Sequence, residues 1–329
     1  MLTKKPLITV IVCTYNREHT LETAMHSILG QETDADFEIV VVNDGATDGT
    51  ADLIHRMAAA AGRLLRCVIT SGIGIPSARN RGVEEARGKW IAFFDDDQIA
   101  ERDWLHEMLR AAQETGAEIV GGVRRLQFVG AAPGALGPLT REVLGEKDYG
   151  PHRDRSNRFT LACTGNILMK KSLFDRIGWF DARMRLGMSD IDLARRALDA
   201  GISSWYTPQA VVWHLVPRYR LEESYLKWTC LRVGTNLARI NHGSWGPLRM
   251  MVPCLLRVGH ALSVNAILAG SAKLVHSKAF LLDRKCYYWM AEGSARMALH
   301  LLLPRAFPQE AFFKRLEFRA ERTAFRSAS

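Results

Sequence analysis

An α/β fold built on a parallel sheet is expected for this chain, on two observations. A unit of apolar strand, polar tip and helix recurs along the first 90 residues. The apolar run Trp90-Ile91-Ala92-Phe93-Phe94 then ends in Asp95-Asp96-Asp97. A short buried strand reads this way when its C-terminal end delivers charge into the crevice above a parallel sheet. The first strand is Leu7 to Cys13, broken by the polar turn Thr14-Tyr15-Asn16-Arg17. That turn is no signal-peptidase site, so the run is read as a strand and not a leader. Leu21, Ala24, Met25, Ile28 and Leu29 follow at helical spacing, with Gly30 as C-cap. Phe37 to Val42 is the second strand, its tip running from Asn43 to Thr50, and Ala51 to Ala61 is the helix after it. Leu65 to Thr70 opens the third unit, followed by the Gly-rich stretch Ser71 to Gly82.

Several chemical readings attach to these tips. Three adjacent carboxylates repel unless a cation joins them, and two Asp oxygens with an open coordination sphere suit Mg²⁺ or Mn²⁺ shared with nucleotide phosphates. The competing reading is a solvated acidic turn capping the helix that begins at Asp103-Trp104-Leu105. Gly72-Ile73-Gly74 lets backbone approach a ligand, and Arg79 suits a diphosphate. It is no dinucleotide fingerprint, because Ser77 stands where the third glycine belongs. Convergence of the tips on one edge of the sheet points to a nucleotide site.

The stretches Val10 to Arg17, Val41 to Thr50, Ala78 to Gly82 and Phe94 to Asp97 resemble successive motifs of family 2 glycosyltransferases over about the first 215 residues. The resemblance implies a GT-A fold, Rossmann-like, with a mainly parallel sheet flanked by helices. It also implies a nucleotide-diphospho-sugar donor, a divalent cation at an Asp-x-Asp motif, and inversion at the anomeric carbon. By position Thr14, Tyr15, Asn16 and Asp44 would line the nucleoside pocket, and Arg79 would approach the nucleotide. Asp95, Asp96 and Asp97 would face the sugar nucleotide, with Asp95 and Asp97 on the metal and Asp97 as its direct ligand. His214, at the end of Val211-Val212-Trp213, would be a third ligand. A packed histidine is the other reading.

On the acceptor side, Leu161 to Met169 resembles the family's Gly-Asn strand through Gly165 and Asn166. Gly187 to Ala197 resembles its Glu-Asp helix, with Ser189-Asp190 where relatives carry Glu-Asp. Inversion needs one carboxylate to take the acceptor's proton, and Asp190 takes that role by resemblance. Serine at 189 removes a neighbouring charge that would have raised the base's pKa or bound acceptor. The weakly patterned stretch Phe128 to Phe159 reads as a lid or a basic loop, with Arg153, Arg155 and Arg158 available to phosphate.

Charge divides the 329 residues sharply. Residues 218–329 hold 18 Lys/Arg against 7 Asp/Glu, while residues 1–217 hold 26 against 28. A catalytic domain over 1–217 and a basic helical region over 218–329 are therefore expected. The longest charge-free run there, Val258 to Ala272, is shorter than the roughly 20 apolar residues of a spanning helix. Phe312, Phe313, Leu316, Phe318 and Phe325 interleave with Lys314, Arg315, Arg319, Arg322 and Arg326, as suits an anionic membrane surface. Packing on the catalytic domain or a second subunit is the alternative; no motif specifies subunit number. The same interleaving argues against nucleic acid as the partner. Six scattered cysteines without a Cys-x-x-Cys pair suit free thiols in a reducing cytoplasm.

A metal-assisted inverting glycosyltransferase acting on a lipid-linked or cell-envelope glycan, peripheral at the inner face of the cell membrane, is the expected function. The rival is a noncatalytic nucleotide-sugar-binding regulator, which would have no need of Asp190. A nucleotidyltransferase would want a Gly-rich phosphate loop where Thr14-Tyr15-Asn16-Arg17 stands.

Overall fold

The computed structural model describes residues 5–308 apart from 131, 158, 159, 161, 186, 275 and 276. β1 (Ile8–Thr14), α1 (Glu18–Leu29), β2 (Phe37–Asn43), α2 (Thr50–Ala61), β3 (Leu65–Ile69), α3 (Ile75–Glu85) and β4 (Trp90–Asp95) realise the repeated unit. Their strands are mostly apolar, as both faces of the sheet are covered; Glu38 of β2 and Arg66 of β3 are exceptions that pair with each other (3.1 Å). Successive side chains alternate between two cores. Val10, Val12, Val41 and Phe94 join Leu21, Met25, Leu53 and Trp104 in one. Ile11, Val40, Val42 and Phe93 join Ala78, Val83, Phe174 and Phe180 in the other.

The chain continues through β5 (Gln98–Ala100), α4 (Trp104–Thr115), β6 (Ile119–Phe128), α5 (Pro138–Val143), β7 (Asp154–Arg155), β8 (Asn166–Lys170), α6 (Leu173–Ile177), α7 (Ser189–Asp199) and β9 (Ser204–Val216). One sheet has the order β3-β2-β1-β4-β8-β6-β9-β5, with β7 paired to β9. It is parallel from β3 to β4, and the β4–β8, β8–β6 and β9–β5 pairs are antiparallel. The mixed character arises after β4, where strands are no longer separated by one crossover helix each.

The described residues form two compact units. One comprises the chain to Arg125, Lys147–Arg185 and Ser189–Leu215; the other comprises Leu126–Glu146, 187–188 and the chain from Val216. The stretch read as one lid is thus divided. Leu126–Glu146, with α5, belongs to the second unit, while β7 returns to the sheet. Arg153 pairs with Glu114 and is not held open for phosphate; Arg158 lies outside the described residues.

The second unit is helical: α8 (Glu223–Leu262), α9 (Val264–Leu274) and α10 (Lys278–Leu302). Gly246 (φ 78°) and Pro247 break α8 into two helices. Leu226, Trp228, Leu231, Met250, Cys286, Trp289 and Met297 fill its core. Helices α8 and α10 cross closely: a β-carbon on Gly234 would strike the Met290 carbonyl, and one on Gly293 the Leu231 carbonyl. The carboxylate of Asp283, on α10, is buried and caps α5. It accepts from the Thr140 amide (2.8 Å), the Thr140 hydroxyl (2.6 Å) and the Leu139 amide (3.1 Å). Asp283→Ala strands these donors and is expected to cost about 2–3 kcal/mol, read as a lower urea midpoint.

By length and composition one helical stretch among the described residues is a candidate for contact with a bilayer. The helical stretch Glu223–Ser271 contains an 18-residue window apolar enough to cross a bilayer, of which 17% is buried. The charge-free count stops at Arg257, whose guanidinium turns inward to donate to Ser294 Oγ (2.9 Å). The aromatic and basic segment from Phe312 to Arg326 lies outside the described residues.

Candidate active site

Strand register assembles the site. Thr14 stands beside Asn43 and Cys13 beside Asp95, so the polar tips of β1, β2 and β4 meet at one edge. Asp44 is buried and works on the protein itself. Its Oδ1 accepts from Thr70 Oγ1 (2.7 Å) and the Ile73 amide (2.7 Å), its Oδ2 from the Gly74 amide (2.9 Å). It thereby shapes the Gly-rich loop ahead of α3. Asn16 sits at φ 52° and its Oδ1 accepts from the Thr47 amide at 2.7 Å, tying the first tip to the second. Thr14 is buried, its hydroxyl without a hydrogen-bond partner among the described residues, and Tyr15 beside it is half-buried.

The three adjacent carboxylates separate into two environments. Asp95 lies between two guanidinium groups, 3.8 Å from Arg79 Nη2 and 3.9 Å from Arg124 Nη1. Gln98 Nε2 donates to it at 3.5 Å. Desolvation raises the Asp95 carboxyl to about 6, with the two arginines opposing the shift. Asp96 and Asp97 turn instead toward Arg17, a buried residue at the start of α1. Arg17 Nε is 3.3 Å from Asp96 Oδ1, and Nη2 donates to Asp97 Oδ2 at 3.1 Å. The other Asp97 oxygen, Oδ1, lies 3.6 Å from His214 Nε2. Pairing of β5 with β9 sets Gln98 opposite His214, and the Leu215 amide donates to the Asp97 carbonyl at 2.9 Å.

These residues fit a nucleotide-borne cation. Adjacent ligands on an octahedral ion are about 3 Å apart, a spacing that a small side-chain movement reaches from the Asp97–His214 separation of 3.6 Å. Among the described residues no three His, Cys, Asp or Glu side chains form a closed cage. An edge of two protein donors suits an ion whose remaining ligands are phosphate and water. Asp95 is placed against Arg79 and Arg124.

The acceptor-side residues divide as well. Asp190, partly exposed in the first turn of α7, accepts from both the amide and the hydroxyl of Thr164 at 3.3 Å. Ser189 is fully buried, so it cannot meet an acceptor; its Oγ accepts from Arg79 Nη1 at 3.3 Å. Asn166 is likewise withdrawn. Its amide donates to the Val123 and Ala210 carbonyls (2.7 and 2.9 Å) and its Oδ1 accepts from Trp104 Nε1 (2.7 Å), locking β8 into the sheet. Gly165 leaves room for the site: a β-carbon there would collide with Asp95, Gln98 and Arg124.

Sequence reasoning missed Arg17 and Arg124. Arg17 had a signal, since it directly follows the first polar tip and three carboxylates need a counter-charge. Arg124, within Val123-Arg124-Arg125, carries none that a strand surface would not also show. Arg17→Ala leaves two buried carboxylates short of their counter-ion. A loss of about 3 kcal/mol in the metal-free protein is expected, partly restored by Mn²⁺ with nucleotide, in a thermal melt.

Known proteins resemble this chain in sequence and fold. Residues 9–178 match the model of the family described as Glycosyl transferase family 2. The chain is 24% identical over 217 residues to glycosyltransferase AglE of Haloferax volcanii, covering 65% of this chain and 68% of that protein. It is 37% identical over 116 residues to the succinoglycan biosynthesis protein ExoO of Rhizobium meliloti, covering 35% of this chain and only 32% of that one. The mannosyltransferase PcManGT of Pyrobaculum calidifontis, solved with GDP-Man and Mn²⁺, superposes with a TM-score of 0.62 at 21% identity, over 92% of this chain and 89% of that one. That likeness extends the shared fold beyond the residues matched by the family model. With more than half of its length matched by that model, the chain is a glycosyltransferase and belongs to glycosyl transferase family 2.

Proposed function

We propose that this enzyme inverts the anomeric carbon of a nucleotide-diphospho-sugar while transferring the sugar to a lipid-linked or cell-envelope glycan. The observation that carries the reading is the separation of a two-donor edge, Asp97 with His214, from a third carboxylate, Asp190. Arg79 contacts Asp95 and donates to Ser189, the residue before Asp190.

A Mn²⁺ or Mg²⁺ ion held by Asp97 and His214 would neutralise charge on the leaving diphosphate. Arg79 and Arg124, both close to Asp95, would supply fixed positive charge to the leaving diphosphate, Arg79 gripping it in bidentate fashion. Asp190 accepts the proton of the acceptor hydroxyl as that oxygen forms its bond to the anomeric carbon, on the side opposite the breaking bond to diphosphate. Thr164, donating twice to Oδ2, holds the carboxylate in place. Similarity to the succinoglycan biosynthesis protein ExoO supports a polysaccharide acceptor, and the cationic excess of residues 218–329 supports work at an anionic membrane face.

Thermal melts with UDP, GDP, CDP and dTDP, each with and without Mn²⁺, test the donor half of the reading. Stabilisation by one nucleotide that needs the metal is expected. A folded protein that no nucleotide stabilises would remove the basis for it.

A further inference from the structure

The second unit turns its polarity inside out. In α8 beyond Gly246 and in α9, three polar side chains point inward. Arg257 donates to Ser294 Oγ (2.9 Å), Asn265 Nδ2 donates to the Arg284 carbonyl (3.0 Å), and His260 packs on the Tyr287 ring at 4.6 Å. The large apolar residues point outward. Leu248, Val252, Leu255, Leu256, Leu262 and Ile267 are 59–82% exposed. At 3.6 residues per turn those in α8 fall within about 120° of arc, so they line one helical face. A helix packed on a soluble core shows the reverse pattern. Apolar exposure on this scale marks a surface that a partner or a membrane covers.

We propose that this face is buried in the acyl region of a lipid bilayer, with α8 beyond Gly246 and α9 lying in the membrane plane. Lipid is favoured over a protein partner by three features. The stripe is uninterrupted by outward acids. Exposed Arg249 and Lys278 flank it, as interfacial cations do beside anionic headgroups. Residues 218–308 hold 13 Lys/Arg against 4 Asp/Glu. An in-plane arrangement follows from length and burial. Pro247–Leu262 is about 24 Å long at 1.5 Å per residue, short of a hydrocarbon core of about 30 Å. Its other face, with Met250, Cys254 and Ala261, is already buried in protein. The inference deepens the membrane part of the proposed function: insertion of named leucines adds an apolar attachment to attraction by basic residues.

The test is flotation of the full-length protein with phosphatidylcholine vesicles and with vesicles containing phosphatidylglycerol, at low salt and at about 1 M salt, where charge attraction is screened. Wild type is expected to float with both lipids and to stay bound in high salt. Leu256→Glu/Ile267→Glu should lower partitioning at least about tenfold, through lost apolar burial, while Leu256→Met/Ile267→Met should not. Both side chains are exposed, so the variants should fold, and an unchanged nucleotide-dependent melt would confirm it. Binding confined to anionic vesicles, abolished by salt and indifferent to the Glu pair would overturn the proposal. So would a dimer that the Glu pair dissolves in protein that floats with neither lipid. The flotation readout is independent of nucleotide, so its failure leaves the donor-site reading standing.

Discussion

Asp97→Asn should lower sugar transfer by about 10³-fold, and metal-dependent stabilisation by nucleotide should disappear with it. The substitution keeps the shape of the side chain and removes its charge. One oxygen would still meet Arg17, but a neutral amide is a poor partner for a divalent cation next to His214. The remaining carboxylates do not compensate: Asp96 is engaged by Arg17, and Asp95 faces Arg79 and Arg124. Melting with nucleotide, with and without Mn²⁺, separates the outcomes. A variant that is stabilised as strongly as wild type would remove Asp97 from the metal edge and would shift attention to Asp95.

The second large effect should come from Asp190→Asn. Transfer is expected to fall by about 10⁴-fold while nucleotide binding stays within about twofold of wild type, because proton removal is lost and donor contacts are not. The asparagine can still accept from Thr164 through its Oδ1, so the first turn of α7 should hold. Hydrolysis of the sugar nucleotide by water, followed beside transfer, distinguishes loss of the base from loss of the acceptor pocket. Full transfer by the variant would mean that another group takes the proton.

The contrast between these two carboxylates shows how far the residues alone carry the argument. Strands β1, β2 and β4 were legible because each is a local apolar run ended by polar residues. Parallel pairing then leaves little freedom over which edge their tips share. Asp97 and Asp190 were legible through the motifs they sit in. Asn166 and Ser189 sit in the same motifs and have different duties, because burial next to Trp104 and Arg79 consumes their hydrogen bonds. A motif identifies a position along the chain; whether the side chain there meets ligand or protein depends on neighbours far away in sequence.

The amino-acid sequence by itself determined the α/β class, the family, the polar edge of the sheet and the cationic excess of residues 218–329, since all four are written in local patterning and composition. Only the tertiary structure decided that Arg17 orients Asp96 and Asp97, that His214 reaches Asp97 across the β5–β9 pair, that Asp283 captures α5, and that the leucines of α8 beyond Gly246 face outward. Each of these depends on groups many tens of residues apart, or on which side of a helix another helix covers. Periodicity reports that a helix has two faces; packing chooses the one that turns inward.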